Sequence, residues 1–400
     1  MSLQELTSAP STPMSAARLI ALIGLTLAIG YAVVLGGAWL GGHWLTDSQG
    51  QPIAGDFVNV WAAGRLTLDG NPAAAYDWTL HKAAEVIAVG HGFDGYYGWH
   101  YPPTFLFVAA ALALIPYTAA SLIWLVATLP AYFAAVRAVV GERAGIFVAL
   151  GFPAALWNAT AGQNGFLTAA LIGGTLGLME RHPTLAGICL GLLSYKPHFG
   201  LLFPLVLLAD RRWRVLVTAA VVTIVMAALS WLAFGAAAWE AFFHWMPITS
   251  RVVLGEGGAD WNRLQSLFGF VRAHGGSETL AWSVQAAMAL TLAIALCWLW
   301  RSRAPFELKA AALAAGALLA TPYLYIYDLV VLAIPVAFLL RLALAGGFLA
   351  SEVAGLFAAG TLLLSYPYVE THTGLAATMI VAGSIVQRSW TFTNNKVLAR

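Results

Sequence analysis

The chain has 400 residues, of which 60% are hydrophobic and only 10% are charged, and its mean hydropathy is +0.78. Soluble domains carry about a quarter charged residues, so this composition predicts an integral membrane protein and excludes an ordinary soluble enzyme. The net charge of +2 and the lack of a basic block in the sequence exclude a nucleic-acid partner. Sixteen Trp and thirteen Tyr suit the aromatic belts at the two bilayer surfaces.

Apolar runs of helical type follow one another along the chain, separated by short polar or Pro/Gly breaks. Several runs are shorter than the roughly 20 residues that a full crossing needs, which indicates tilted, broken or re-entrant helices beside a cavity. The sequence therefore predicts an all-α polytopic membrane protein with about 11 to 13 transmembrane or re-entrant helices. The runs are 17–40, 104–115, 119–139, 145–157, 165–179, 184–193, 199–209, 215–234, 280–300, 308–320, 324–340, 344–364 and 374–386.

Two long segments, residues 41–103 and 235–279, are predicted to be outer loops of one membrane domain that spans 1–400. In the first loop, residues 57–68 and 80–89 are predicted to form short helices at the bilayer interface. Basic clusters between other runs are expected in the cytoplasm, because Lys and Arg accumulate in cytoplasmic loops. The polar clusters then fall on the outer face, so we expect an inner (plasma) membrane protein that works toward the periplasm or exterior. The basic clusters comprise Arg211, Arg212, Arg214, Arg301, Arg303, Lys309, Arg341, Arg388, Lys396 and Arg400.

Asp56 stands just after the first apolar run, in the segment GDFVNVWAAGRLTLDGNP. An acid at the mouth of a membrane domain is costly unless it is used. A carboxylate in a partly dry pocket can act as a general base, since burial raises its pKa toward neutral pH. Arg65 and Asp69 are candidates for orienting Asp56 or for binding a phosphate. The alternative interpretation is that Asp56 caps the helix that begins near Phe57.

Two polar motifs precede or interrupt the next runs. In GWHYPPTFLF, Tyr101 could stack on a sugar ring or could be an ordinary interfacial tyrosine. In NATAGQNG, the amides of Gln163 and Asn164 could hold a ligand rich in hydroxyl groups. They could equally satisfy backbone groups that a helix break leaves free.

Two later motifs place charges within apolar sequence. Lys196, in LLSYKPHFGLLF, must reach the interface, pair with an acid or bind an anion such as phosphate. His198 in the same motif could carry a proton or simply be an interface histidine. In TPYLYIYD, Asp328 is a second intramembrane acid and a natural partner for Lys196, beside Tyr325.

Spacing of His, Cys and carboxylates gives no metal site, and the sequence has neither a Walker loop nor a GxGxxG motif. No metal or other cofactor is therefore expected. A transporter or flippase of lipid-linked sugars or small polar solutes would explain broken helices and intramembrane charges equally well. The concentration of polar clusters on one face favours an enzyme over that alternative, and a purely structural subunit would leave Asp56 and Lys196 without a purpose.

Taken together and in this order, the motifs GDFVNVWAAGRLTLDGNP, YPPTFLF, AGQNG, YKPHFGLL and TPYLYIYD resemble those of glycosyltransferase family 87. This family belongs to the GT-C membrane glycosyltransferases, which use polyprenyl-phosphate sugars. The resemblance spans roughly residues 17–340, and each motif alone is weakly specific. It implies a GT-C-type membrane fold, a polyprenyl-phosphate sugar donor, and a glycolipid or polysaccharide acceptor.

The resemblance also implies roles for particular residues. Asp56 matches the catalytic acid of the first outer loop, and Lys196 matches the basic residue that contacts the lipid phosphate. The late motif carries Tyr325, Tyr327 and Asp328 where some family members have histidine. Mannose and arabinofuranose are both implied as sugars, transferred with inversion. Further candidate substrate contacts are Arg65, Tyr101, Gln163, Asn164 and His198.

Overall fold

The computed structural model describes residues 15–258 and 260–398, with side chains up to residue 392. Over these residues the chain folds into seventeen α-helices joined by short 3-10 and π turns, with three isolated β-bridges and no strand. The all-α class predicted from the sequence is confirmed. The helices are α1 (Ala16–Leu40), α2 (Val58–Leu68), α3 (Trp78–Val89), α4 (Leu106–Leu112), α5 (Tyr117–Val140), α6 (Ala144–Leu150), α7 (Pro153–Ala161), α8 (Gly165–Leu178), α9 (Pro183–Leu192), α10 (Phe203–Ala209), α11 (Trp213–Ser250), α12 (Leu267–Ala273), α13 (Glu278–Arg301), α14 (Phe306–Ala320), α15 (Ala333–Gly346), α16 (Ala350–Val369) and α17 (Thr373–Leu398).

Within the described part of the chain, six helical segments are long and apolar enough to cross a bilayer. The bent pair α6 and α7, which meet at 51°, makes a seventh if it counts as one span. Four further apolar segments have only 10–17 residues, so the predicted mixture of full and short helices is confirmed. The six long segments are Ala16–Leu40, Tyr117–Val140, Trp213–Gly255, Glu278–Arg301, Ile326–Gly346 and Ala350–Val369; the short ones are Pro103–Leu112, Gly165–Leu178, Pro183–Tyr195 and Pro197–Ala209.

Glycine and proline set several of these breaks. At Gly235, inside α11, the backbone leaves helical geometry (φ +79°, ψ +170°), so the helix is broken where the predicted run ends. The helix then resumes to Ser250, and the prediction of a loop from residue 235 is wrong for this part of the segment. Glycine adopts this conformation without the steric cost that a Cβ atom would bring. Pro153 starts α7 and Pro197 starts a 3-10 turn, positions at which the missing N–H of proline is tolerated.

The core lies around α14 and the segment that follows it. Eleven of the fifteen residues of α14 are buried, and the 3-10 helix Ile326–Leu332 that leads into α15 is buried from Asp328 onward. The sequence predicted a single run over 324–340 here, and the 3-10 geometry of its first half is a difference. Peripheral helices such as α1 and α11 expose large apolar side chains, among them Leu40 (82% exposed) and Leu232 (81%). Exposed apolar surface of this extent suits contact with lipid tails.

Residues 41–103, predicted to be the first outer loop, fold onto the helical body. The two short helices predicted there are present as α2 and α3. The first seven residues of α2 are buried, and Gly64 lies so close to α4 that a Cβ atom would overlap the Ala109 carbonyl oxygen. Trp61 is buried and donates its indole N–H to the Ile115 carbonyl at 2.9 Å. Packing within the protein thus fixes the start of α2, beside which Asp56 lies.

The two ends of α9 carry different chemistry. Near its beginning, Arg212 pairs with Asp210 at 2.7 Å and with Glu180 at 3.8 Å. Its other end leads through a 3-10 turn to Lys196. Ten helical residues separate the two groups by about 15 Å.

Candidate active site

Asp56 lies between an extended segment and the first turn of α2. The Tyr117 hydroxyl donates to the Ile53 carbonyl at 3.0 Å and accepts from the Gly55 N–H at 3.2 Å, so α5 holds this segment in place. The N-cap of α2 is Phe57, and no side chain caps the helix. The interpretation of Asp56 as a helix cap is therefore wrong. Its carboxylate instead points to another part of the chain.

That partner is Gln163, whose amide donates to Asp56 Oδ2 at 3.3 Å. Gln163 follows Gly162, which ends α7 in the left-handed conformation (φ +68°). A Cβ atom on Gly162 would stand 2.9 Å from Cβ of Phe57, the neighbour of Asp56. Only glycine fits this close turn. The turn between α7 and α8 therefore places the Gln163 amide beside the Asp56 carboxylate.

The amides and Tyr101 form one buried network. The Tyr101 hydroxyl donates to Gln163 Oε1 at 3.3 Å and accepts from Asn164 Nδ2 at 2.7 Å. The Tyr101 ring lies 6.1 Å from that of Tyr195, and Phe105 stacks on Tyr195 at 4.7 Å. The structure thus brings together Asp56, Tyr101, Gln163 and Asn164. The Oδ1 atom of Asn164 is buried and has no hydrogen-bond partner among the described residues.

Lys196 and Asp328 form a buried ion pair. Lys196 Nζ donates to Asp328 Oδ1 at 2.6 Å, and both side chains are nearly inaccessible. Asp328 Oδ2 accepts from the backbone N–H of Tyr325 at 3.3 Å. The predicted pairing is confirmed, and it joins the KP motif to the late motif. Of the interpretations left open for Lys196, reaching out to the interface does not occur.

Other residues of the two late motifs line the same region. The rings of Tyr325 and Tyr327 stack at 5.4 Å, and Lys196 Nζ lies 5.7 Å from the Tyr327 ring centre. His198 is partly buried, 4.4 Å from the Phe199 ring and 6.4 Å from that of Tyr323. This aromatic surface beside a buried cation is suited to a sugar or a lipid headgroup.

Arg65 is not brought to this cluster. It lies in the last turn of α2, about 10 Å along the helix from its start. Its guanidinium pairs with Asp69 at 2.9 Å in an exposed i,i+4 ion pair. Both side chains are exposed and bind each other, and neither is a hydrogen-bond partner of the Asp56 carboxylate as the sequence had suggested.

The protonation of Asp56 reflects its surroundings. Burial raises the pKa of Asp56 to about 6. The Gln163 hydrogen bond and the positive charges of Arg263 and Lys196 oppose this rise, whereas the negative charge of Asp328 adds to it. The carboxylate is thus mostly ionised at neutral pH, yet it is much more basic than an exposed aspartate. A carboxylate in this state can accept a proton from a hydroxyl group.

Arg263 is the residue of this region that sequence reasoning missed. It lies in the second outer loop, in the 3-10 turn Trp261–Arg263, and it is exposed. The loop contains other arginines, including Arg251 and Arg272, and no motif in the sequence ranked one above another. Only the folded chain shows that the charge of Arg263 acts on Asp56.

A cavity of about 260 Å³ opens beside the segment that leads to Asp56. Its wall combines aromatic rings, carboxylates and an imidazole, a composition that suits a carbohydrate. The lining residues are Asp47, Pro52, Ile53, Ala54, His91, Phe93, Asp94 and Tyr97. Across the described residues, no group of three or more His, Cys, Asp or Glu side chains could hold a metal ion.

An all-α membrane body that holds a basic carboxylate, an amide network and a buried lysine suits a membrane enzyme for a polar substrate. The model of Glycosyltransferase family 87 matches residues 99–322, more than half of the chain, and the protein belongs to that family. It is thus a membrane glycosyltransferase, which favours the enzyme over the transporter alternative. Asp56 precedes the matched region, and Tyr325 and Asp328 follow it. No curated protein matches the chain significantly.

Proposed function

We propose that this glycosyltransferase moves mannose or arabinofuranose from a polyprenyl-phosphate donor to a hydroxyl group of a glycolipid or polysaccharide. The reaction takes place at the outer face of the inner membrane. The observation that carries the proposal is the state of Asp56, a carboxylate with a pKa of about 6 held by Gln163 at the mouth of the helical body. A base with a pKa near the working pH is the requirement for activating a hydroxyl nucleophile.

The proposed reaction is a single displacement. Asp56 accepts the proton of the acceptor hydroxyl as that oxygen forms a bond to the anomeric carbon. The bond between this carbon and the phosphate oxygen breaks, and its electron pair leaves with the polyprenyl phosphate. Attack opposite the leaving group inverts the anomeric centre. Positioning both substrates and stabilising the phosphate charge supply the rest of the rate enhancement.

In this proposal the donor lies between Asp56 and the Lys196–Asp328 pair. Asn164 Oδ1, which is buried and has no hydrogen-bond partner among the described residues, can accept from a sugar hydroxyl. Tyr101 holds the Asn164 amide in place, and Gln163 fixes the carboxylate. The resemblance implies that Lys196 contacts the lipid phosphate, which supports this placement of the donor. His198 and Tyr325 flank this position on the aromatic surface.

The acceptor approaches from the outer cavity. Its wall includes Ile53 and Ala54, two and three residues before Asp56, so a glycan held there extends toward the carboxylate. Phe93 and Tyr97 offer ring faces on which a sugar can stack, and Asp94 offers a hydrogen-bond acceptor for hydroxyl groups.

The test is a donor panel with the purified full chain in nanodiscs and envelope lipids as acceptor. Short-chain polyprenyl-phosphate mannose and polyprenyl-phosphate arabinofuranose are supplied separately, and the release of polyprenyl phosphate is followed. We expect release from one donor that depends on the added acceptor. The proposal would be overturned in favour of a flippase if neither donor released polyprenyl phosphate and intact labelled donor moved across the bilayer.

A further inference from the structure

The residues that follow Arg263 bind the loop 235–279 to the late motif TPYLYIYD. Leu264, the next residue, forms a β-bridge with Tyr325, and the Gln265 N–H donates to the Leu324 carbonyl at 2.6 Å. The Ser266 hydroxyl donates to the Pro322 carbonyl at 2.8 Å. Asp328 lies in the 3-10 helix that follows this part of the late motif. The loop therefore holds Arg263 next to the segment that carries the Lys196–Asp328 pair.

The guanidinium of Arg263 is free to bind a ligand. It makes no side-chain hydrogen bond or ion pair with any residue that the structure describes, and it is exposed. Its charge nevertheless acts on both Asp56 and Tyr97. By contrast, Arg272 in the same loop donates to the Gly255 and Gly276 carbonyls and lies 4.2 Å from the Trp261 ring. Arg272 thus stabilises the loop, whereas the guanidinium of Arg263 has no hydrogen bond or ion pair within the described part of the chain.

The side chains Lys196, Asp328 and Asp56 together carry a net negative charge, so binding a phosphate beside them requires a further cation. Lys196 and Asp328 form an electrically neutral pair, and Asp56 adds a negative charge. A sugar phosphodiester carries one negative charge, and the released phosphate monoester carries up to two. As Asp56 accepts the proton it becomes neutral, and the negative charge appears on the departing phosphate instead. Without Arg263, Lys196 alone would have to stabilise both Asp328 and this phosphate.

We propose that Arg263 binds the phosphate of the lipid-linked donor and stabilises it as it leaves, with Lys196 holding Asp328 and the late motif in place. This inference rests on the proposed function. Arginine suits the task because its planar guanidinium donates paired hydrogen bonds to phosphate oxygens and stays protonated at all relevant pH values. The contacts between the loop and the late motif fix the position of Arg263 before the phosphate binds, which lowers the entropy cost of binding.

The experiment measures binding of a short-chain polyprenyl phosphate, the reaction product, to the purified full chain in detergent. The polyprenol of the same length and inorganic phosphate are the comparison ligands. The variants are Arg263→Gln and Arg263→Lys, with Arg251→Gln as the matched control for an exposed arginine of the same loop. Thermal melting of each variant verifies folding.

We expect Arg263→Gln to weaken binding of polyprenyl phosphate about 10- to 100-fold, as for loss of a charged hydrogen bond. Arg263→Lys should restore part of this loss, and Arg251→Gln and polyprenol binding should be unchanged. Equal affinity of Arg263→Gln and wild type would overturn the role of Arg263 and leave the proposed function standing. If wild type binds polyprenyl phosphate no better than polyprenol, both the role of Arg263 and the proposed function are overturned. Displacement by inorganic phosphate at matching concentration would show a free-phosphate site and contradict a lipid donor.

Discussion

The amide of Gln163 donates a hydrogen bond to the carboxylate of Asp56 across 107 positions of sequence. This contact joins the first outer loop to the break between α7 and α8, and it stabilises the ionised form of Asp56. The same amide accepts from Tyr101, which ties the proposed base to the rest of the polar network. Gln163 therefore orients the carboxylate and lowers its pKa against the larger, opposite effect of burial.

The pH dependence of transfer tests this relationship. A general base must be deprotonated, so the wild-type rate should fall as the pH drops below about 6, the pKa of Asp56. Gln163→Ala removes a hydrogen bond that favours the carboxylate, and the pKa of Asp56 should rise. The acidic limb of the kcat/KM profile, which reports the free enzyme, should then move to higher pH. Gln49→Ala, an exposed glutamine of the same outer segment, is the control. An unshifted limb in Gln163→Ala would separate Gln163 from the base.

The stability of the protein should depend on the charge of Asp56. Because the folded-state pKa is raised above the unfolded value of 3.8, ionisation of Asp56 costs stability, and this cost grows as the pH rises through about 6. Asp56→Asn removes the cost. Its apparent melting temperature should exceed that of wild type at pH 8, and the difference should disappear near pH 4. A lower melting temperature at pH 8 would mean that the ionised carboxylate is stabilised in the fold.

The buried pair of Lys196 and Asp328 predicts a non-additive result. Removing one partner leaves an unpaired buried charge, so Lys196→Met and Asp328→Leu should each destabilise by about 3–5 kcal/mol. The double variant should be more stable than either single variant, since no charge then remains. Melting temperatures in one detergent provide the comparison. Additive losses would show that the pair contributes no direct coupling.

The turn at Gly162 predicts a steric effect with an internal control. Gly162→Ala forces a Cβ atom to within 2.9 Å of Phe57 in a left-handed backbone, whereas Gly50 has a similar φ of +78° in open space. Both Ala variants should lose about 1 kcal/mol from the backbone conformation. Only Gly162→Ala should also displace Gln163 and lower kcat, by roughly tenfold or more. Equal activity of the two variants would contradict the close approach.

The sequence predicted the parts of this protein that depend on local pattern. Hydrophobic runs identified the helices, and the rarity of charge within them singled out Lys196 and Asp328, which do pair. The motifs around Tyr101 and Gln163 were recognised as polar interruptions, although which of their groups would meet was not evident.

What the sequence did not reveal depends on long-range packing. The close contact of Gly162 with Phe57 decides that Asp56 meets Gln163 rather than capping α2. The β-bridge between Leu264 and Tyr325 selects Arg263 from among the loop arginines. Arg65 looked suitable by its distance in sequence, but the helical spacing of four residues gives it Asp69 as a nearer partner. Such outcomes follow from tertiary geometry that residue type and spacing leave open.

The central claim is that Asp56 is the base of sugar transfer. The most direct measurement compares wild type, Asp56→Asn and Asp69→Asn in single-turnover transfer from the donor that wild type uses, with donor affinity measured in parallel. Asp69→Asn is the control, since it removes an exposed carboxylate of the same outer segment. The account predicts that Asp56→Asn folds, binds donor and loses about 10²- to 10⁴-fold in rate, while Asp69→Asn stays near wild type. Transfer by Asp56→Asn within a few-fold of wild type would contradict it.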